Sequence, residues 1–301
     1  MTSALVVGRP CPGRAIEELV RLTRADLEAA GWKVSSGLFE RNPELRRSVR
    51  RAVRDGIEVV VAVGGDGAIH EVTAALIGTQ TALGIIPAGT GNLLAGNLGI
   101  PGDRARAAQV IISGQRRRID IGRALVGGQT FEVLVAAGIG FDAAVMAATT
   151  DGFKRRWGKL AYFASALAVS PQIHNVSCEI TLDGVPMKMA AAQVFIANFG
   201  AMAPGLAPRR PIYPDDGLLE VLAIQASGPI AGLAGAAAAF RQRRLGYSAD
   251  RRVWRGQAHT VVISTDQPCP VEIDGDLVGL TPIEVSILPR SLNVIVPTLL
   301  V

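Results

Sequence analysis

The run Ile57-Glu58-Val59-Val60-Val61-Ala62-Val63-Gly64-Gly65-Asp66-Gly67-Ala68 decides how this chain is read. Residues 57–63 are rich in Ile and Val, the composition of a central parallel strand buried on both faces. The glycines that follow let the backbone turn sharply and approach a phosphate closely. Their amides, with the start of the next helix, form an anion site. An acid inside such a loop is costly unless it meets a metal ion or a proton to be moved, so Asp66 reads as functional; the plain alternative is a capping residue. A second loop of the same kind, Ile86-Pro87-Ala88-Gly89-Thr90-Gly91-Asn92, follows the next strand and adds the hydrogen-bonding side chains of Thr90 and Asn92. Two such loops at adjacent strand ends can hold one polyphosphate.

Outward from these loops, the first half of the chain alternates strand and helix. Strands are expected over residues 4–7, 32–39, 57–63 and 83–86, and helices over 14–30, 43–53, 68–77, 91–98 and 104–113. That alternation implies an α/β layer with a parallel sheet, in which ligands bind at the carboxyl ends of strands. The second half differs. Strands are expected over 119–125, 129–136, 177–182, 187–197, 218–224, 259–264, 271–273 and 282–287, many joined by short turns such as Asp183-Gly184 and Asp274-Gly275. Helical stretches over 153–168 and 230–243 interrupt them. This half reads as a β-rich, antiparallel domain beginning near Asp120, and a length of 301 residues also favours two domains.

Composition excludes several classes. The net charge of +5 suits an anionic partner such as a nucleotide or a membrane surface. Aromatic residues make up 5% and do not interleave with the basic clusters at 46–54, 116–118, 154–159 and 241–252, which argues against nucleic acid. Those clusters otherwise read as solvated faces. Cys11, Cys178 and Cys269 are odd in number and scattered, so no disulfide framework or zinc spacing is present. His70, His174 and His259 are scattered too. The N-terminus lacks the features of a signal peptide. Residues 73–102 and 221–240 are uncharged but interrupted by Gly, Pro or polar residues, short of the roughly 20 apolar residues of a membrane span. A cytoplasmic protein with at most peripheral contact at the inner membrane face is expected. No P-loop is present; residues 152–159 have one residue too many. Gly138-Ile139-Gly140-Phe141-Asp142-Ala143 matches a dinucleotide fingerprint, but no acid follows at the required distance, and a strand turn is the better reading.

The stretch from Val59 to Pro101 resembles the nucleotide-binding region of the diacylglycerol kinase catalytic family, which includes bacterial lipid kinases and the sphingosine and ceramide kinases. The family's Gly-Gly-Asp-Gly-Thr motif and the Asn-Glu pair after it are matched here by Gly64-Gly65-Asp66-Gly67-Ala68-Ile69-His70-Glu71, and its Pro-x-Gly-Thr-x-Asn by Pro87-Ala88-Gly89-Thr90-Gly91-Asn92. The likeness continues through Ile119-Asp120-Ile121-Gly122, the segment from Gly138 to Ala143, Lys154-Arg155-Arg156-Trp157-Gly158-Lys159-Leu160-Ala161-Tyr162, Asp215-Asp216-Gly217-Leu218 and Glu272-Ile273-Asp274-Gly275-Asp276.

This resemblance implies an α/β fold of two domains: a parallel-sheet nucleotide domain over 1–122 and a β-sandwich-like lipid domain over 123–287, with 288–301 returning to the first. ATP and substrate would lie in the cleft between. It implies an ATP- and Mg-dependent kinase of a lipid alcohol such as diacylglycerol, working at a membrane surface in phospholipid biosynthesis, with a homodimer as a reasonable expectation. The nucleotide would be held by Gly64, Gly65, Asp66, Gly67, Ala68, Ile69, His70, Glu71, Gly89, Thr90 and Asn92. Magnesium would be held by Asp216 with the carbonyls of Tyr213 and Leu218. Asp276 or Asp274, with Asp66 nearby, would accept the hydroxyl proton; read from the residues alone, Asp274-Gly275 is a hairpin turn. The chain departs from the family at Ala68 for Thr, His70 for Asn, Asp276 for Glu and Arg9 for the Asn of the first loop. Two other readings stand beside this one: a catalytically impaired nucleotide- or lipid-binding module, and an NAD kinase, against which Asn198 is followed by Phe199 rather than Glu.

Overall fold

Six consecutive buried residues make β3 (Val59–Gly64) the centre of a parallel sheet, and β4 (Ala82–Pro87) beside it is buried along its whole length as well. The computed structural model describes residues 1–10, 13, 15–140, 175–200, 212–225 and 253–298. The chain divides into two compact units, Met1–Ile121 with Pro289–Val301, and Gly122–Leu288.

In the first unit β1 (Ser3–Gly8) pairs in parallel with both β2 (Lys33–Leu38) and β3, and β3 pairs in parallel with β4. The order β2-β1-β3-β4 is closed by β16 (Ile283–Val296), whose Val294 faces Leu83 of β4. The helices owe their positions to apolar stripes. Ile16, Val20, Thr23 and Leu27 form the buried face of α1 (Ile16–Ala29). In α2 (Asn42–Arg54), Pro43 occupies the first turn, where its missing N–H is harmless, and Leu45, Val49 and Ala52 turn inward while the arginines face water. α3 (Asp66–Leu76) buries Ile69, Val72 and Leu76. α4 (Leu93–Asn97) is short, and α5 (Arg104–Ser113) is capped by Asp103, which accepts from the Arg106 amide at 2.9 Å. The chain steps one way from β1 to β2, then back past β1 to β3 and on to β4. Right-handed crossovers place α1 on one face and α2 and α3 on the other. The packing agrees, since α1 touches α5 and α2 touches α3.

The second unit is a sandwich. β13 (Thr260–Thr265) lies between β8 (Val176–Leu182) and the first half of β16, and β9 (Val185–Ala191) forms an edge beside β8. Pro186 and Lys188 on β9 protect that edge from further pairing. The facing sheet has the order β12 (Val253–Ala258), β11 (Leu219–Ile224), β10 (Gln193–Ala197), β7 (Ala136–Gly140), β14 (Pro270–Ile273), β15 (Asp276–Leu280). β5 (Gln115–Val126) and β6 (Gln129–Val133) form a hairpin. Between the sheets lies one core containing Ile139, Ile180, Val194, Ile196, Val221, Val261, Ile263, Val271 and Val285. Cys178 and Cys269 are free and buried in it; desolvation pushes the Cys178 thiol up to about 11.

The structure corrects several expected strands. The run 187–197 is broken at Ala192, whose amide donates to Ile224 O at 2.9 Å: β9 belongs to one sheet and β10 to the other, and a continuous apolar run carries no mark of that switch. The run 129–136 likewise ends at Val133, before β7 begins. β12 and β15 were not expected, and β16 runs on to Val296 past Pro289. Gly138 and Gly140 stand within β7 rather than in a turn. Residues 141–143, the segment 154–162, Cys11 and the expected helices over 153–168 and 230–243 lie outside the described residues.

The return of β16 to the first unit is fastened at its start. Arg290 has φ +49°, and its amide donates to Asp120 Oδ1 at 2.6 Å, with Asp120 fully buried. Gly78 N donates to Ser291 O at 2.7 Å just beyond. Replacing Asp120 by Ala removes the buried acceptor of the Arg290 amide, and we expect the unfolding free energy in urea to fall by about 1–3 kcal/mol. Asp120→Asn, which keeps an acceptor, should lose less.

Candidate functional site

The strand order reverses between β1 and β3. In open α/β sheets such a reversal leaves a crevice at the carboxyl ends of the two strands, where ligands bind. Gly8 is in register with Val63, so the first loop, Gly64 to Gly67, opens at this point. Gly65 is the extended N-cap of α3, and the amides of Ala68 and Ile69 turn back to its carbonyl at 3.0 and 3.1 Å. The amides of Asp66 and Gly67 stand at the mouth of the helix, where the macrodipole favours an anion.

The second loop is pressed against the first. Ala88 N donates to Gly64 O at 2.8 Å. A Cβ on Gly89 would stand 2.6 Å from Gly65 Cα, and one on Gly91 would stand 2.7 Å from Asp66 Oδ2. Asn92 is left-handed at φ +49°; its Oδ1 accepts from Gly89 N and its Nδ2 donates to Gly89 O, both at 2.9 Å. Asp66 closes the assembly. Its Oδ2 accepts from Asn92 N at 2.8 Å and its Oδ1 from Leu93 N at 2.7 Å. The acid inside the anion-binding loop thus accepts from two backbone amides of the neighbouring loop rather than capping its own helix.

The other expected nucleotide residues divide. Thr90 is exposed at the tip of the second loop, and Gly67 faces open space, with nothing within 4 Å of a Cβ built on it. Gly64 and Ala68 are buried, and a Cβ on Gly64 would meet Ala68 Cβ at 2.8 Å, so they serve loop packing. The Ile69 side chain is fully buried and its amide donates to Gly65 O, so its contribution is to packing beneath the loop. His70 is half-buried on α3.

Glu71 lies five residues after Asp66, about 7.5 Å along the helix axis. It accepts from Asn42 Nδ2 at 3.0 Å and from Arg46 Nε at 2.9 Å, and Asn42 Oδ1 accepts in turn from Arg9. Asn42, Pro43, Arg46, Arg47, Arg50 and Glu71 line a depression of about 360 Å³. With three arginines against one glutamate it favours an anionic or polar ligand. Asn42 and Arg46 carry no role in the sequence reading, where Arg9 stands only as a departure from the family's first loop; the signal was the basic cluster at 46–54, which also reads as a solvated face.

The acids of the second unit do different work. Asp274 and Gly275, at φ +50° and +94°, form the two-residue turn between β14 and β15. The Asp274 carboxylate accepts from the amides of Leu134 (2.7 Å), Val135 (2.8 Å) and Ala136 (3.1 Å). It clasps the gap between β6 and β7. Asp276 is exposed at the start of β15. Asp216 is exposed and accepts from Leu218 N at 3.0 Å across Gly217, at φ +79°; Tyr213 is exposed nearby in sequence. Among the described residues there is no cluster of three or more His, Cys, Asp and Glu that could hold a metal, and a magnesium ion at Asp216 would need main-chain oxygens as well. One carboxylate with carbonyls is a hard-oxygen set that fits magnesium.

Three variants test these assignments. Gly89→Ala forces backbone against backbone and should cost about 1–3 kcal/mol of stability, whereas Gly67→Ala should be neutral or slightly stabilising in the same melts. Asp274→Ala, which orphans the amides of residues 134–136, should lower stability by about 2 kcal/mol or more.

Residues 4–124 match the diacylglycerol kinase catalytic domain, and residues 135–296 match the YegS C-terminal NAD kinase beta sandwich-like domain. The chain is 27% identical over 305 residues to a diacylglycerol kinase of Bacillus subtilis (strain 168), covering 99% of this chain and 97% of that one. It is 28% identical over 288 residues to a probable lipid kinase YegS-like of Enterobacter sp. (strain 638), covering 93% and 92%. An uncharacterized protein of Synechocystis sp. is 28% identical over 252 residues; the match takes in 81% of this chain and 56% of that protein's length. Among solved structures, a diacylglycerol kinase from Bacillus anthracis str. Sterne superposes with a TM-score of 0.74 at 20% identity, covering 100% of this chain and 98% of that one. A second solved structure from the same organism reaches 0.81 at 22%, covering 98% of this chain and 96% of that one.

Proposed function

Because the chain belongs to the diacylglycerol kinase catalytic family, we propose that it is an ATP- and magnesium-dependent kinase that transfers the γ-phosphate to a hydroxyl of a lipid of the diacylglycerol class. The observation that carries this reading is the pair of glycine loops packed backbone to backbone at the point where the strand order reverses.

Phosphoryl transfer asks a protein for positioning and charge neutralisation more than for covalent chemistry. The amides at the start of α3 and the exposed Thr90 bind the phosphates. Asp66 keeps the two loops in one shape. The depression between α2 and α3 takes the polar base and sugar, with Glu71, Asn42 and Arg46 as partners. Asp216, with main-chain oxygens of Tyr213 and Leu218, would hold magnesium, which when bound supplies neutralisation of the phosphate charge. The lipid hydroxyl oxygen attacks the γ-phosphorus, the bond to the β–γ bridging oxygen breaks, ADP leaves, and the hydroxyl proton passes to Asp276. The acceptor lives in a bilayer, so the protein meets it at a membrane surface, for which the charge of +5 is suited. No helix among the described residues is long and apolar enough to cross a membrane.

The departures at Ala68, His70 and Asp276 favour a second reading, a binding module that has lost turnover. Labelled ATP with magnesium, presented with micellar diacylglycerol and a panel of other lipid alcohols, separates the two. We expect a labelled lipid, and about a 10²–10⁴-fold loss of rate in Asp276→Asn with the fold intact. Full activity in that variant removes Asp276 from the mechanism. Nucleotide binding without any labelled lipid favours the binding module.

A further inference from the structure

Asp276 carries the proposed proton transfer, yet among the described residues no hydrogen bond or ion pair holds its carboxylate. Its place is set by the backbone of the turn before it, in which Asp274 and Gly275 both have positive φ. Asp274 fixes one side of that turn through the amides of residues 134–136, and its own amide donates to Ala136 O at 3.0 Å. The other side is fixed by a residue to which the sequence assigned no role. Glu272 is 6% exposed, and its Oε2 accepts from Gly275 N at 2.8 Å. Its Oε1 reaches over β7, 2.9 Å from where a Cβ on Gly138 would stand, and Gln193 Nε2 lies 3.3 Å from the same point. Only a glycine at 138 leaves this room.

A buried carboxylate is costly. A charge-assisted bond to a backbone amide is among the stronger ones a side chain can make, and here it falls on the residue immediately before Asp276. We propose that Glu272 is a positioning residue: by holding Gly275 it fixes the turn that presents Asp276 to the acceptor hydroxyl. This rests on the kinase reading above.

The test compares Glu272→Ala and Glu272→Gln, each alone and combined with Asp276→Asn. Amide hydrogen exchange over residues 270–280 should quicken in Glu272→Ala and stay near wild type in Glu272→Gln, whose amide oxygen still accepts from Gly275. In the labelled-ATP assay Glu272→Ala should lower kcat about 10- to 100-fold, the scale of loss for a misplaced catalytic group, with KM for ATP unchanged, and Glu272→Gln should restore most of the rate. On the Asp276→Asn background Glu272→Ala should lose nothing further, because a residue acting through Asp276 has nothing left to position. Unchanged exchange in Glu272→Ala overturns the proposal. So does an equal further loss on the Asp276→Asn background, which marks a structural role elsewhere. A wild-type protein that labels no lipid defeats the kinase reading instead, while the exchange measurement still decides whether Glu272 holds the turn.

Discussion

The Asp66 carboxylate, shared between the amides of Asn92 and Leu93, is the constraint on which the first unit's site depends. It joins the loop after β3 to the loop after β4 at a point where their backbones already touch through Gly65 and Gly89. A charge-assisted pair of bonds to main-chain amides is short and directional, so the loops share one shape before any ligand arrives. Preorganisation of this kind lowers the cost of binding a flexible polyphosphate. The glycines follow from the contact, since side chains at 89 or 91 would occupy space taken by Gly65 and Asp66.

The same device recurs at other breaks in regular structure among the described residues. Asp120 holds Arg290 where the chain rejoins the first sheet. Asp274 holds three successive amides between β6 and β7. Asp183 holds Thr260 and His259, and the Thr260 amide draws its carboxyl below the ordinary range. In each case a short acid meets backbone donors that no strand or helix partner serves, and groups of that kind are costly to leave unpaired when buried. A carboxylate near a glycine can therefore serve as a clasp, whether buried, as Asp120 is, or exposed, as Asp183 is. Asp276 and Asp216 reach water; Asp120 does not.

Depth also separates the residues of the glycine motifs. Gly64, Ala68 and Ile69 are packed from below and build the loop, while Gly67, Thr90 and Gly91 are exposed. A motif read as a string of equals thus has an inner and an outer side. The replacement of a threonine by Ala68 falls on the inner side.

The sequence by itself determined that the first half is α/β with a parallel sheet and the second half β-rich, because periodicity and burial are local: the Val run of β3, the stripe of α2 and the Asp-Gly turn at 274 each declare themselves within a few residues. It also determined the family, through two glycine motifs and their spacing. Only the tertiary structure decided what these residues touch. Strand order, and with it the reversal between β1 and β3, is a long-range property that no local pattern encodes. The partners of Asp66, Asp274 and Glu71 lie 26, 140 and 29 residues away in the chain, as do the joining of Arg9 to Asn42 and the switch of sheets at Ala192 in their own ways. A carboxylate carries the same letter whether it binds a backbone amide, a metal or a proton, and the difference is made by the neighbours that folding brings to it.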